Sequence, residues 1–155
     1  MIHLRPFTPE DIEQVWSLVQ RTIGVSYQPD YSPEVIRFFQ DYHPREKILD
    51  DAENGYIVVA ERDGIIVGTG TLREAHIRRV FIEPDCQGQG IGRTIAAHLE
   101  ERAIQANITK VDLSGALGSR AFWESIGYTV RREVFRSIND GPVIHYYEMA
   151  RTLAP

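Results

Sequence analysis

The chain has 155 residues and a mass of 17.7 kDa, the size of one compact domain that buries roughly 70% of the surface its unfolded form exposes. It is 43% hydrophobic and 25% charged, with 12 glycines and 8 prolines, a balance that argues against a disordered, collagenous or membrane-embedded chain. Seventeen basic against 22 acidic side chains leave a formal charge of −5, the wrong sign for neutralising phosphate backbones, so no nucleic-acid partner is expected.

The single cysteine, Cys86, cannot close an intramolecular disulfide and gives no sign of an oxidising compartment. Met1 to Pro6 lack the basic segment and apolar run of a secretory signal. The longest uncharged, largely apolar stretch, Ile65 to Leu72, falls far short of the roughly 20 residues that span a bilayer. A cytoplasmic protein with no membrane partner is therefore expected. No repeat, low-complexity tract or linker divides the sequence, and residues 1–155 read as a single domain.

In chain order, Ile2 and Leu4 before Pro6 predict a short strand. Thr8-Pro9-Glu10-Asp11 supplies an N-cap hydroxyl, a proline at the first helical position and acids in the first turn, and Ile12, Val15, Trp16, Val19 and Ile23 follow at helical spacing. Ser32-Pro33-Glu34 repeats that start signal before Val35, Ile36, Phe38 and Phe39, so two helices precede the main sheet. Tyr56 to Ala60 and Ile65 to Leu72 form a hairpin about Asp63-Gly64. A strand from His76 to Ile82 stops at Glu83-Pro84-Asp85. A glycine-rich turn then opens a helix from about Gly90 to Gln105 with Ile91, Ile95 and Leu99 on its apolar stripe. Lys110 to Leu113 is the next strand, so this helix is a crossover and its two strands run parallel. A short helix at Arg120 to Ile126 ends at Gly127, and Tyr128 to Phe135 with Val143 to Ala150 close the fold as a hairpin over Asn139-Asp140-Gly141. The predicted architecture is α/β (α+β): a mixed, mostly antiparallel sheet flanked by helices, with one parallel crossover.

Gln87-Gly88-Gln89-Gly90-Ile91-Gly92-Arg93 lies between a strand and a helix, where unpaired N–H groups at the helix start hold anions and alternate glycines let the backbone approach a diphosphate. A Walker loop is excluded because Arg93-Thr94, without a lysine, follows Gly92. A dinucleotide fingerprint is excluded because Arg93 stands where its third glycine belongs and too little chain follows, although Asp112 lies at a suitable distance downstream. A tight turn with no ligand is the remaining alternative.

The run Val80-Phe81-Ile82-Glu83-Pro84-Asp85-Cys86-Gln87-Gly88-Gln89-Gly90-Ile91-Gly92 resembles the acyl-coenzyme A signature of the GNAT acetyltransferase superfamily, and Phe122 to Tyr128 is similar to that family's later Tyr-Glu-x-x-Gly-Phe element. The element order agrees from residue 2 to about 150. The resemblance implies the GNAT-type acyl-CoA N-acyltransferase fold and direct transfer of an acetyl group from acetyl-CoA to a primary amine of a small molecule or protein, without a metal. It implies that Gln87, Gly88, Gln89, Gly90, Ile91, Gly92 and Arg93 cradle the diphosphate, with Arg93 near the pendant phosphate. Val80, Phe81 and Ile82 would pair with the pantetheine arm and offer an N–H to the thioester oxygen, a contact of about 3 kcal/mol. Ser119 and Trp123 complete the expected cofactor contacts. A homodimer through an exposed sheet edge is expected by the same analogy.

The acceptor ammonium must lose a proton before it attacks. The family often places a carboxylate eleven residues before the Gln/Arg of its motif, and here that position is His76, an imidazole suited to the task. Simple alternation puts His76 on one face with Arg78, Val80 and Ile82, and Glu74 two residues back is the reserve candidate. The bland reading of His76 is a cross-sheet pair with a neighbour. His3, His43 and His98 read as surface or cap residues with no metal-site spacing, and His145 as a candidate for the acceptor pocket. Trp123 departs from the family, which usually has at this place a tyrosine that protonates the leaving thiolate. An indole cannot act as that acid, leaving Ser119, Tyr128 or water, and leaving open a non-catalytic acyl-CoA-binding module of the same fold. Tyr27, Tyr31, Phe38, Phe39 and Tyr42, interleaved with Asp30, Asp41, Asp50 and Asp51, are expected to form an acceptor pocket suited to a cationic amine, with one of Phe38 and Phe39 packed into the core.

Overall fold

A computed structural model describes residues 1–154. Among them, strand β1 (His3–Pro6) leads to helices α1 (Ile12–Ser26), α2 (Pro33–Asp41) and α3 (Arg45–Asn54). Strands β2 (Tyr56–Arg62), β3 (Ile65–Arg73) and β4 (His76–Ile82) follow, then α4 (Ile91–Gln105), β5 (Lys110–Ala116), α5 (Arg120–Ser125), β6 (Thr129–Ser137) and β7 (Val143–Thr152). The predicted start signals act locally. The Asp11 carboxylate accepts from the Thr8 N–H at 2.8 Å, and the Ser32 hydroxyl accepts from the Val35 N–H at 3.3 Å. The sequence reading missed α3, which makes three helices before β2 rather than two. Its inward face carries Ile48 and a buried carboxylate, Asp51, so the apolar repeat is too thin to register as helical periodicity.

The strands form one sheet in the order β1-β2-β3-β4-β5-β7-β6, antiparallel everywhere except between β4 and β5. Each face buries its own core. Ile91, Ile95, Leu99 and Ala103 of α4 pack with Val58, Leu72, Ile77, Trp123 and Tyr128 on one side. Val15, Leu18, Val19 and Ile23 of α1 pack with Ile48, Ile57, Val59 and Phe81 on the other. Helix α4 packs its side chains directly against the backbone of β3 at Gly68 and Gly70. A Cβ at Gly70 would lie 2.5 Å from Ile95 Cγ2 and 3.0 Å from Leu99 Cδ1.

Strand β4 does not alternate simply. Thr69 pairs with Phe81 and Thr71 with Arg78, leaving Arg79 and Val80 opposite the single residue Gly70, and Arg79 has φ of +51°. This bulge corrects the expected facing of the strand. Ile77, Val80 and Ile82 point toward α4, whereas Phe81 lies in the opposite core and both Arg78 and Arg79 reach Asp51 of α3. His76 therefore shares a face with Arg78, Arg79 and Phe81, not with Val80 and Ile82.

Gly70→Ala is expected to destabilise the protein by about 1–3 kcal/mol through overpacking against Ile95 and Leu99, measured as a lower urea midpoint with an unchanged slope. An alanine variant as stable as the parent would mean that α4 moves off the sheet without cost.

Candidate functional site

The site begins where two parallel strands part. His76 and Asp112 are the paired residues of β4 and β5, reinforced by the Asp112 N–H donating to the Ala75 carbonyl at 3.0 Å. Beyond them, residues 77–82 and 113–116 line opposite walls of a groove of about 580 Å³ that continues to the glycine turn and to Ser119, Phe122 and Trp123.

At the turn, Gly88 and Gly90 have φ of +78° and +84°, which L side chains rarely adopt, and a Cβ built on either meets no atom within 4 Å. The start of α4 has no side-chain cap and no acid in its first turn, so its leading amides face open space as an anion site would require. The Gln87 side-chain amide donates to the Ile82 carbonyl and to the Ser26 hydroxyl, each at 3.1 Å, pinning the turn to β4 and α1. Gln87, Gly88, Gly90, Ile91, Gly92 and Arg93 line the groove along with Val80, Phe81 and Ile82. Gln89 does not: its side chain turns away and accepts from Arg62 at 2.8 Å. The Phe81 ring packs on the far side of the sheet, so only its backbone faces the gap.

Ser119 lines the groove with its hydroxyl donating to the Ala116 carbonyl at 2.9 Å. Trp123 is buried in the α4-side core, edge-on to Tyr128 with ring centres 5.1 Å apart. Tyr128 drops out as a proton donor. Its hydroxyl is committed to Glu100 at 2.7 Å, and burial, reinforced by that carboxylate, pushes its ionisation far upward.

A second cavity of about 440 Å³ lies between α2, α3 and the mouth of the β4–β5 gap. It meets the groove along 77–81 except for Val80, along 114–116 and at Tyr27. Tyr27 and Ser114 are the hydroxyl-bearing residues that line both, and burial pushes the Tyr27 phenol well above its ordinary value. Of the expected acceptor residues, Phe38, Phe39, Tyr42, Asp50 and Asp51 also line this cavity, while Asp30 and Tyr31 line the groove and Asp41 is exposed. Phe39 is the one that packs on the core. Tyr31 braces the structure. Its hydroxyl accepts from the Leu117 N–H at 3.0 Å and donates to the His145 carbonyl at 2.7 Å, and burial pushes its pKa up to about 12.

The expected charge of this cavity is reversed. Asp51 is buried and accepts from Arg79 and, at 2.9 Å, from Arg73, with Arg78 3.6 Å away. Burial raises the Asp51 carboxyl, but the guanidinium hydrogen bonds outweigh it and hold the group below the usual carboxylate range. Asp50 is bound to Arg73 at 2.6 Å. Both acids are thus committed to arginines. Two adjacent arginines within an apolar strand were the signal that reading by residue type passed over.

His76 lines the cavity, and its Nδ1 is hydrogen-bonded to Asp112, an arrangement that orients the ring and does not use Nε2. Glu74 is not on a strand face: it sits in the exposed β3–β4 turn with φ of +54°. His145 pairs with Glu133 at 2.9 Å and stacks on Phe135, outside both cavities. His43 is no surface cap. It lines the cavity, and its Nδ1 accepts from Arg79 Nε at 3.0 Å. Burial, then the charges of Arg79, Lys47 and Arg78, lowers its pKa to about 3. Among the described residues no group of three or more His, Cys, Asp or Glu side chains is placed to hold a metal ion.

Neutral His43 has a consequence for stability. An unfolded imidazole binds its proton near 6.5 and the native one only near 3, so below about pH 6.5 the unfolded chain holds more protons and this contribution is lost as pH falls. His43→Gln, which keeps an acceptor for Arg79, is expected to lose less thermal stability than the parent between pH 7 and about pH 5. Equal losses would remove His43 as the cause.

A family model described as "Acetyltransferase (GNAT) domain" matches residues 27–149. Among solved structures, the chain is similar to a GCN5-related N-acetyltransferase from Rhodopseudomonas palustris, at 24% identity and TM-score 0.90 over 97% of this chain and 95% of that one. It is also similar to the PaiA N-acetyltransferase from Thermoplasma acidophilum in complex with coenzyme A, at 19% identity and TM-score 0.80 over 98% and 99%. A third likeness is YncA from Salmonella typhimurium, a putative acetyltransferase with its cofactor acetyl-CoA, at 14% identity and TM-score 0.77 over 100% and 95%. With that domain matched over most of its length, on a sheet that parts beside an uncapped helix start, the chain belongs to the GNAT acetyltransferase family.

Proposed function

We propose that the protein transfers an acetyl group from acetyl-CoA to a primary amine by direct attack. The observation that carries this reading is the continuity of one groove from the β4–β5 gap to the glycine turn. Diphosphate charge is met by the leading amides of α4, and an extended arm adds to the free edge of β4 as a strand would. The PaiA and YncA structures, which hold coenzyme A and acetyl-CoA, support the same assignment.

The two cavities join beside Tyr27 and residues 77–79, and there the amine would meet the thioester. His76, oriented by Asp112, takes the ammonium proton directly or through a water. The nitrogen lone pair then attacks the carbonyl carbon, a β4 backbone N–H steadies the oxyanion, and collapse of the tetrahedral adduct breaks the C–S bond as the extra proton on its nitrogen passes through water to the departing thiolate. A thiol of ordinary acidity, near 8.5, leaves as thiolate without an obligatory acid. Trp123 cannot protonate it, and Tyr27, though shared by both cavities, is made a weaker acid still by burial, so the thiolate takes its proton through water. The buried Trp123 favours one rival, a module that binds acyl-CoA and does not turn it over.

Gly90→Val is expected to weaken acetyl-CoA binding roughly 100-fold by strained backbone and a side chain in the cradle, read by calorimetry; retained affinity would mean the cradle is misplaced. Against an amine panel, His76→Ala is expected to lower thiol release about 100-fold with acetyl-CoA affinity nearly intact, and an unchanged pH–rate profile removes His76 from the proton path. Tight binding with no thiol release from any amine would favour the binding module.

A further inference from the structure

We propose that the acceptor carries an anionic oxygen group on the same small molecule as its amine, a carboxylate in preference to a phosphate, on an apolar body; this rests on the acetyl-transfer reading above. The cavity beyond His76 is lined by five permanent cations, Lys47, Arg73, Arg78, Arg79 and Arg136, against two carboxylates, Asp50 and Asp51. That leaves a formal excess of +3 at one site of a chain whose total is −5. Stabilising one buried acid does not require so many. Asp51 is saturated by Arg79 and Arg73, and Asp50 takes the other contact of Arg73.

Arg78 is the cation left over. It stands 3.6 Å from Asp51, beyond hydrogen-bond reach, and its Nε is buried without a hydrogen-bond partner among the described residues. A buried donor of this kind costs free energy until an acceptor reaches it, and a planar guanidinium matches a carboxylate. Among the described residues, Lys47 and Arg136 are held over aromatic faces and by no ion pair, Lys47 at 3.9 Å from the Tyr42 ring centre and Arg136 at 5.9 Å from that of Phe38. Both therefore stay available to an anion.

Arg78 and Arg79 also line the groove, but at the His76 end of β4 and not at the glycine turn, so these cations do not serve the diphosphate. None of residues 87–93 lines this cavity. Nor is the pocket built for a second positive charge, because its acids are spent. Its walls also include Phe38, Phe39, Tyr42, Phe81 and Tyr146, and its volume of about 440 Å³ falls in the range of small-molecule sites. The bulge that turns Arg78 and Arg79 to one side of β4 puts the anion site next to His76, so a carboxylate held there would present a nearby amine to the base.

The test separates binding from turnover. Calorimetry with N-acetylphenylalanine, which keeps the carboxylate and apolar body of such a product, is expected to show binding that falls about 10- to 100-fold for its amide and for Arg78→Met. Lys47→Met, at an exposed position, is expected to weaken it in the same direction and guards against a folding defect at Arg78. In thiol-release assays phenylalanine should exceed 2-phenylethylamine in kcat/KM by a similar factor, while O-phosphoethanolamine against ethanolamine reports the phosphate arm. Equal binding of acid and amide, or a preference for neutral or dicationic amines, overturns the proposal whether or not acetyl transfer occurs. A larger advantage for the phosphate pair than for the carboxylate pair overturns the choice of carboxylate. Loss of acetyl-CoA binding or of all turnover, with N-acetylphenylalanine still bound through Arg78, upholds the anion site and falls on the acyltransferase reading instead.

Discussion

The single pairing of His76 with Asp112 is the constraint on which the rest of the site depends. A parallel pair that continued to Ile82 would close the sheet and leave its backbone groups satisfied by each other. Instead the ladder stops after one step. The bulge at Arg79 adds a residue to β4, increases local twist and re-aims the strand away from β5. The gap therefore follows from hydrogen-bond register, and the residues beyond it keep main-chain donors and acceptors that an extended ligand can use.

The same bulge creates the second half of the site. By turning Arg78 and Arg79 toward α3, it gives Asp51 two strand-borne neighbours in addition to Arg73. A buried carboxylate among guanidiniums is costly to desolvate and is tolerated only when its hydrogen bonds are complete. Here the acid orders two basic side chains, Arg73 of β3 and Arg79 of β4, and, through Arg79, the neutral ring of His43. Helix α3 serves more to deliver this carboxylate than to extend the apolar core, which explains its mostly polar sequence.

Much of this was legible from residue types. Start signals at Thr8 and Ser32, the β-branched runs and the strand–glycine–helix step depend on local chemistry, and the structure places each where expected. The failures have physical causes. Helix α3 lacks an apolar stripe because its inward position is ionic. The facing of β4 was misread because alternation assumes no inserted residue, and positive φ at Arg79 is not a propensity that arginine advertises. Charge in the acceptor cavity was misjudged because Asp50 and Asp51 were visible as acids while their arginine partners lie more than twenty positions away. Asp112, noticed only as a distant acid, became the partner of His76 once the crossover was folded.

Tyr31 joins the lips of the groove before any ligand arrives. Its phenol is clamped between the amide of Leu117 and the carbonyl of His145, so the segment linking α1 to α2 is moored to the ends of β5 and β7. A wall tied at both sides has little freedom left to surrender when a guest enters, and that entropic toll is settled during folding. Such a vestibule selects guests by shape and charge more than by its own rearrangement, as befits a rigid doorway rather than a closing flap.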